Sequence, residues 1–161
     1  MWFPPYNVVS LFWSLRTKID DSMNRALKTL RAVQWSMLAS ILLYGFLGER
    51  VGPTARAVNP SISYLLATLS VAIVGMIFIV RRTLVLRAAE SLATRPEDIL
   101  SLNHWRTGYI ATYVLCEALA LFGLALRLMG STLQQSLLFY VGGFVLLLFF
   151  APKRPAGPPS T

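Results

Sequence analysis

The sequence predicts an all-α protein, an integral membrane bundle of four transmembrane helices preceded by an N-terminal amphipathic interfacial helix. Three observations carry that expectation. Hydrophobic residues make up 55% of the 161-residue chain and charged residues only 14%, against about 45–50% and about 25% in an ordinary soluble domain. The apolar residues gather into four stretches close to the ~20 residues that a helix needs to cross a bilayer. The basic residues lie between those stretches, mostly on one side.

Residues 1–31 form the first element. Apolar residues recur as Val8, Leu11, Phe12, Leu15, Ile19, Met23, Ala26, Leu27 and Leu30, with Arg16, Asp20, Asp21, Arg25 and Lys28 largely off that stripe. The spacing is helical. Trp2, Phe3, Tyr6 and Trp13 suit a headgroup layer. The segment therefore reads as a helix on the cytoplasmic leaflet, with packing on a partner protein as the alternative. Its opening, Trp2-Phe3-Pro4-Pro5-Tyr6, lacks the order of a secretory signal.

Residues 32–152 hold the four spans, at about 32–49, 61–80, 107–127 and 133–151. None alternates with the period of two that a transmembrane barrel requires. In the loop between the second and third spans, Thr94-Arg95-Pro96-Glu97 fits a capping box with Pro in the first turn, predicting a short helix there. Ser63, Ala67 and Ser70 on the second span, and Gly142 and Gly143 on the fourth, are candidate packing faces. Trp105 and Arg106 look like interface anchors at the start of the third span, as Trp2 and Trp13 do for the N-terminal helix. Residues 153–161 read as a disordered cytoplasmic tail.

Orientation follows from charge. Arg16, Lys18, Arg25, Lys28 and Arg31 precede the first span, and Arg81, Arg82, Arg87, Arg95 and Arg106 join the second to the third. Lys153 and Arg154 follow the fourth, and only Arg50, Arg56 and Arg127 lie on the opposite side. The positive-inside rule then places both termini in the cytoplasm, in the cell's inner (plasma) membrane. The same distribution accounts for the net charge of +8 without nucleic acid, which needs a basic face on a soluble fold. Cys116, the single cysteine, excludes an intrachain disulfide and a thiolate metal cluster. No nucleotide, metal or nucleophile motif is present. The expectation is no enzyme, no metal and no cofactor.

One residue stands out chemically. Glu117 is the only acid in the interior of a span, Glu49 standing at the edge of the first, and it lies about ten residues past Arg106 and so ~15 Å into a ~30 Å hydrocarbon core. Without a cation in that layer, removal from water favours its neutral form. Tyr113, one turn earlier, is the expected hydrogen-bonding partner, and the two together form the candidate ion-binding pair. Glu117 has three readings: a structural hydrogen-bonding group between helices, a carrier of protons or ions, and a ligand for a lipid, quinone or other small molecule.

The run Cys116-Glu117-Ala118-Leu119-Ala120-Leu121-Phe122-Gly123-Leu124 resembles the carboxylate-bearing helix of the proteolipid (c-type) subunits of rotary ATP synthases. That resemblance implies that Glu117 would bind and release a transported proton or sodium ion. The chain departs from the family in having only Gly75 in its second span, Ala39 at the place matching Glu117, and a long charged loop from Arg81 to Arg106. Uncharacterised four-helix bacterial membrane proteins with an acidic third segment and a Pro-basic ending are also similar, which implies the fold alone. Leu43-Tyr44-Gly45-Phe46-Leu47 further resembles Leu121-Phe122-Gly123-Leu124-Ala125, pointing to two repeated hairpins. The leading expectation is an accessory or structural subunit of a larger membrane complex, in lipid and in contact with other subunits or its own copies. A proteolipid-like ion-translocating subunit is the alternative.

Overall fold

The structure, a computed structural model, describes residues 8–52, 59–94 and 98–154, giving the backbone alone for 8–16 and 18–20. The described elements are all helical. They are α1 (Val8–Val51), α2 (Pro60–Val80), a π-helical turn (Arg81–Leu86), α3 (Arg87–Thr94), α4 (Ile99–Leu128) and α5 (Leu133–Phe149). α2, the π turn and α3 run on as one 35-residue rod, so the described residues make four rods. Three of them, over Asp21–Val51, Pro60–Thr94 and Ile99–Leu128, are long and apolar enough to cross a membrane, while α5 is shorter at 17 residues.

The N-terminal segment and the first span are one helix rather than two. No Pro falls between Pro5 and Pro53 and no Gly before Gly45, so nothing in the backbone breaks the ladder at Arg31. The apolar stripe is also used differently from the expectation. Met23, Ala26 and Leu30 are buried within the protein's own core, and the helices that α1 touches are α4 and α5. At least from Met23 onward, the stripe packs on this chain and not on lipid. The stripe positions from Val8 to Ile19, and Trp2 and Trp13, lie outside the described side chains.

Local chemistry fixes the other ends. Asn59 caps α2 by accepting from the Ser61 N–H at 3.0 Å, with Pro60 in the first position. The capping box proposed at Thr94 does not operate from its first residue. Thr94 ends α3, and its hydroxyl donates back to the Ser91 carbonyl at 3.0 Å. Asp98 is the cap instead, accepting from the Leu100 N–H at 3.0 Å and from the Ser101 hydroxyl at 2.6 Å. The helix it starts is no short loop helix but the whole of α4. α4 closes in a Schellman turn, with Ser131 N–H on the Leu126 carbonyl, Gly130 N–H on the Arg127 carbonyl, and Gly130 at φ 97°. Only Gly takes that φ without strain.

α4 is the axis of the bundle. α1 runs parallel to it, α5 returns antiparallel along it, and α1 and α5 also touch each other. α5 retraces α4 from Leu126 back to Tyr109, whose hydroxyl accepts from the Lys153 N–H at 3.4 Å. Glycines set this closeness. A Cβ on Gly143 would come within 2.7 Å of the Cys116 carbonyl oxygen, and one on Gly123 within 2.9 Å of that of Ser136. Gly142, paired with Gly143 in the sequence reading, faces open space.

α2 is different. It packs on α4, its backbone approaches neither α1 nor α5 among the described elements, and Ile77 is its only buried residue; near its end Phe78 meets the ring of Phe150, just past α5, at 6.3 Å. Ser63 and Ser70 are half-buried, while Ala67 and Gly75 are exposed. The two hairpins suggested by the repeat are therefore not equivalent: α4 and α5 pack as a hairpin, α1 and α2 do not. At the base of α2 the π turn presses into α4, where a Cβ on Gly108 would lie 2.7 Å from Val85 Cγ2 and 3.0 Å from Leu84 Cβ.

Candidate functional site

Glu117 lies half-buried on α4 at its seam with α1. The hydroxyl of Tyr44 donates to its Oε1 at 2.8 Å. Helix geometry explains the reach. Gly48 of α1 stands beside Arg127, so Tyr44 sits nearly two turns beyond Glu117 along the parallel pair. Side chains on a helix lean toward its N-terminus, which carries the phenol back to the level of the acid. Tyr44 is itself held nearby, its carbonyl accepting from the Tyr140 hydroxyl at 3.5 Å.

Tyr113, the partner expected from spacing, does not bond to Glu117. Its side chain is fully buried, and its hydroxyl has no hydrogen-bond partner among the described residues. One helical turn puts two residues on the same face without making their polar tips meet. Here the Tyr113 ring turns toward Tyr109, with centroids 6.0 Å apart. The Glu117 partner comes from another helix.

Trp105 and Arg106 separate in role. Trp105 is only 1% exposed and stacks edge-on against Tyr109 at 5.0 Å, so it is a core residue and not an interface anchor. The reason is α4's early start at Ile99, which places Trp105 two turns inside the helix and under its neighbours. Arg106 is exposed.

Polar residues that the sequence reading passed over hold the bundle elsewhere. Buried Gln34 donates to the Leu147 carbonyl at 2.8 Å, joining α1 to α5. At the opposite end Arg127 pairs with Glu49 at 2.9 Å and also donates to the Ser131 carbonyl. Inside that turn the hydroxyls of Ser131 and Ser136 lie 2.8 Å apart. Gln34 is legible afterwards as the one amide within the first span, but its target is a backbone carbonyl that no side-chain pattern reveals.

Chemically, the site is a donor–acceptor clip with a single carboxyl. Cys116 is buried, and no group of three His, Cys, Asp or Glu that would hold a metal occurs among the described residues. Comparison with protein-family models, with curated proteins and with solved structures finds no match.

Proposed function

We propose that the protein is a non-catalytic, multi-pass subunit of a larger membrane assembly, spanning the inner membrane four times with both termini in the cytoplasm. The observation that carries this is the state of α2. Three helices pack together, while α2 lies along α4 alone, apart from the Phe78–Phe150 ring contact at its end, and leaves Tyr64 and Val71 each 74% exposed. A span buried so little by its own chain offers a long apolar face to neighbouring helices. α5, at about 25 Å of helix, lies at the short end of what crosses a bilayer, and its return to the level of Tyr109 supports counting it as a span. Arg81 and Lys153 meet around Tyr109 at one end, and Arg127 and Glu49 lie at the other, in keeping with the orientation read from charge.

Sizing from native membranes tests the assembly. The chain should migrate well above a detergent-bound 17.9 kDa monomer, and Val71→Trp on the exposed face of α2 should shrink that species. A wild-type chain extracted only as a monomer refutes the proposal.

In this reading Glu117 is a hydrogen-bonding clip between α1 and α4. Tyr44→Phe and Glu117→Leu should each cost about 1 kcal/mol, the scale of interhelical hydrogen bonds in membranes. The double variant should cost less than the two together, and Glu117→Gln should be nearly silent. Unfolding in mixed micelles measures all four.

One observation favours a second reading, the proteolipid-like ion carrier. Glu117 is only half-buried, and Val114 and Leu121, one turn to either side, are exposed. A carbodiimide should then label Glu117 from the lipid phase, with labelling suppressed at high pH or by sodium. Glu117→Gln would abolish transport and leave assembly intact.

A further inference from the structure

The end of the bundle where α2, α4 and α5 meet holds a guanidinium with an unfilled hydrogen-bonding site. Arg81 follows directly on α2, and its backbone N–H closes that helix on the Ile77 and Phe78 carbonyls. Its side chain is half-buried between two rings, 4.2 Å over Phe150 and 5.7 Å over Tyr109. The Phe150 ring is backed edge-on by Phe78 at 6.3 Å. Cation–π contact of this kind holds the planar group and strips water from its faces. It supplies no acceptor in the plane of the fork. The Arg81 Nη1 atom is buried and has no hydrogen-bond partner among the described residues. A charged donor left so is costly, and buried charges are ordinarily met by an acceptor of opposite sign.

Among the described residues no side chain meets it. Arg82, Arg106 and Lys153 are exposed around the same end and make no ion pair among the described residues. Asp98, an acid at the start of α4, already accepts from Leu100 and Ser101. The local field is strongly positive and the missing partner is an anion. The level is also defined, because Arg81 directly follows a 21-residue apolar helix, where hydrocarbon gives way to headgroups.

We propose that Arg81, seated on Phe150 and Tyr109, is the anchor of a binding site for a phosphate group, that of an anionic glycerophospholipid of the cytoplasmic leaflet. The guanidinium fork suits a phosphate in a way a point charge does not. Lys153 and Arg82 add attraction from the aqueous side, and basic pockets between helices on that side are where anionic headgroups bind. The site rests on the membrane reading above.

The test uses the full chain purified in a neutral detergent. Phosphatidylglycerol, diacylglycerol and inorganic phosphate are added separately, and the unfolding midpoint is read. Phosphatidylglycerol should raise it by about 5 °C, saturating near one lipid per chain. Diacylglycerol, which has the tails without the phosphate, should not. Arg81→Gln should abolish the rise, and Arg106→Gln should leave most of it. An equal response to diacylglycerol, or an undiminished one in Arg81→Gln, overturns the site. Inorganic phosphate reproducing the whole rise overturns the lipid as its source. If Arg81→Gln yields no folded protein, native mass spectrometry of the wild-type chain decides. One phosphatidylglycerol should survive activation that strips neutral lipid, and none surviving overturns the proposal. A chain that dissolves as a compact monomer without detergent refutes the membrane reading itself, a different result from an insoluble chain that ignores the lipid.

Discussion

Gly143→Val should leave α4 and α5 unable to pack. The obstacle is backbone: even the first added carbon would lie 2.7 Å from the Cys116 carbonyl oxygen and 3.4 Å from the Ala120 nitrogen. A carbonyl within a helix cannot turn aside as a side-chain tip can, so the whole helix must move. Movement there is opposed seven residues along α4, where Gly123 presses on the Ser136 carbonyl. With little hydrophobic force between helices in lipid, such close backbone approach is a principal source of their attraction. We expect a loss of about 3 kcal/mol or more, the upper range for overpacked cores, read as unfolding in mixed micelles. The control is one residue away. A Cβ added at Gly142 meets nothing within 4 Å, and Gly142→Val should be close to neutral. Equal damage from both would show that α5 is rotated from the position described.

Trp105→Ala should be the most damaging truncation. The indole is among the largest fully buried side chains and is stacked on Tyr109. Its loss opens a cavity under the start of α4, at about 3–5 kcal/mol for an aromatic-to-alanine change in a packed core. Near-ultraviolet circular dichroism should lose intensity with it, since the Trp105, Tyr109 and Tyr113 rings form one stack. Arg106→Ala, next in sequence but exposed, should change stability by less than about 0.5 kcal/mol. A headgroup anchor at Trp105 would give the opposite outcome, with small losses in detergent and larger ones in bilayers.

Those two residues show where the sequence was informative. Runs of apolar residues between charges mark helices directly, because length and composition alone decide what suits a bilayer. Three such helices were legible on that basis, with α5 the marginal one. That Glu117 falls within a long apolar helix was also legible. Its partner was not. Tyr113 shares a face with Glu117 by spacing, but Tyr44 reaches it through the register of two parallel helices, and no period within either helix encodes that register. Burial of Trp105 failed for the same reason: an aromatic beside an arginine reads as an interface pair until the helix covering it is placed. The break expected at Arg31 was a composition boundary mistaken for a structural one. Charge changes there, but the backbone carries no Gly or Pro to end the helix.

That unbroken helix has a mechanical consequence. α1 has 44 residues, about 66 Å of helix, against a hydrocarbon core of about 30 Å. Placed across such a core, more than half of it would stand in the aqueous phase as a stalk, buried on one side within the protein's own core as far as Met23. A stalk rooted in packed helices acts as a lever: a bundle tilt of about 10° swings a tip some 36 Å out through about 6 Å. Whatever grips the Val8 end is thereby geared to the attitude of the spans in the membrane.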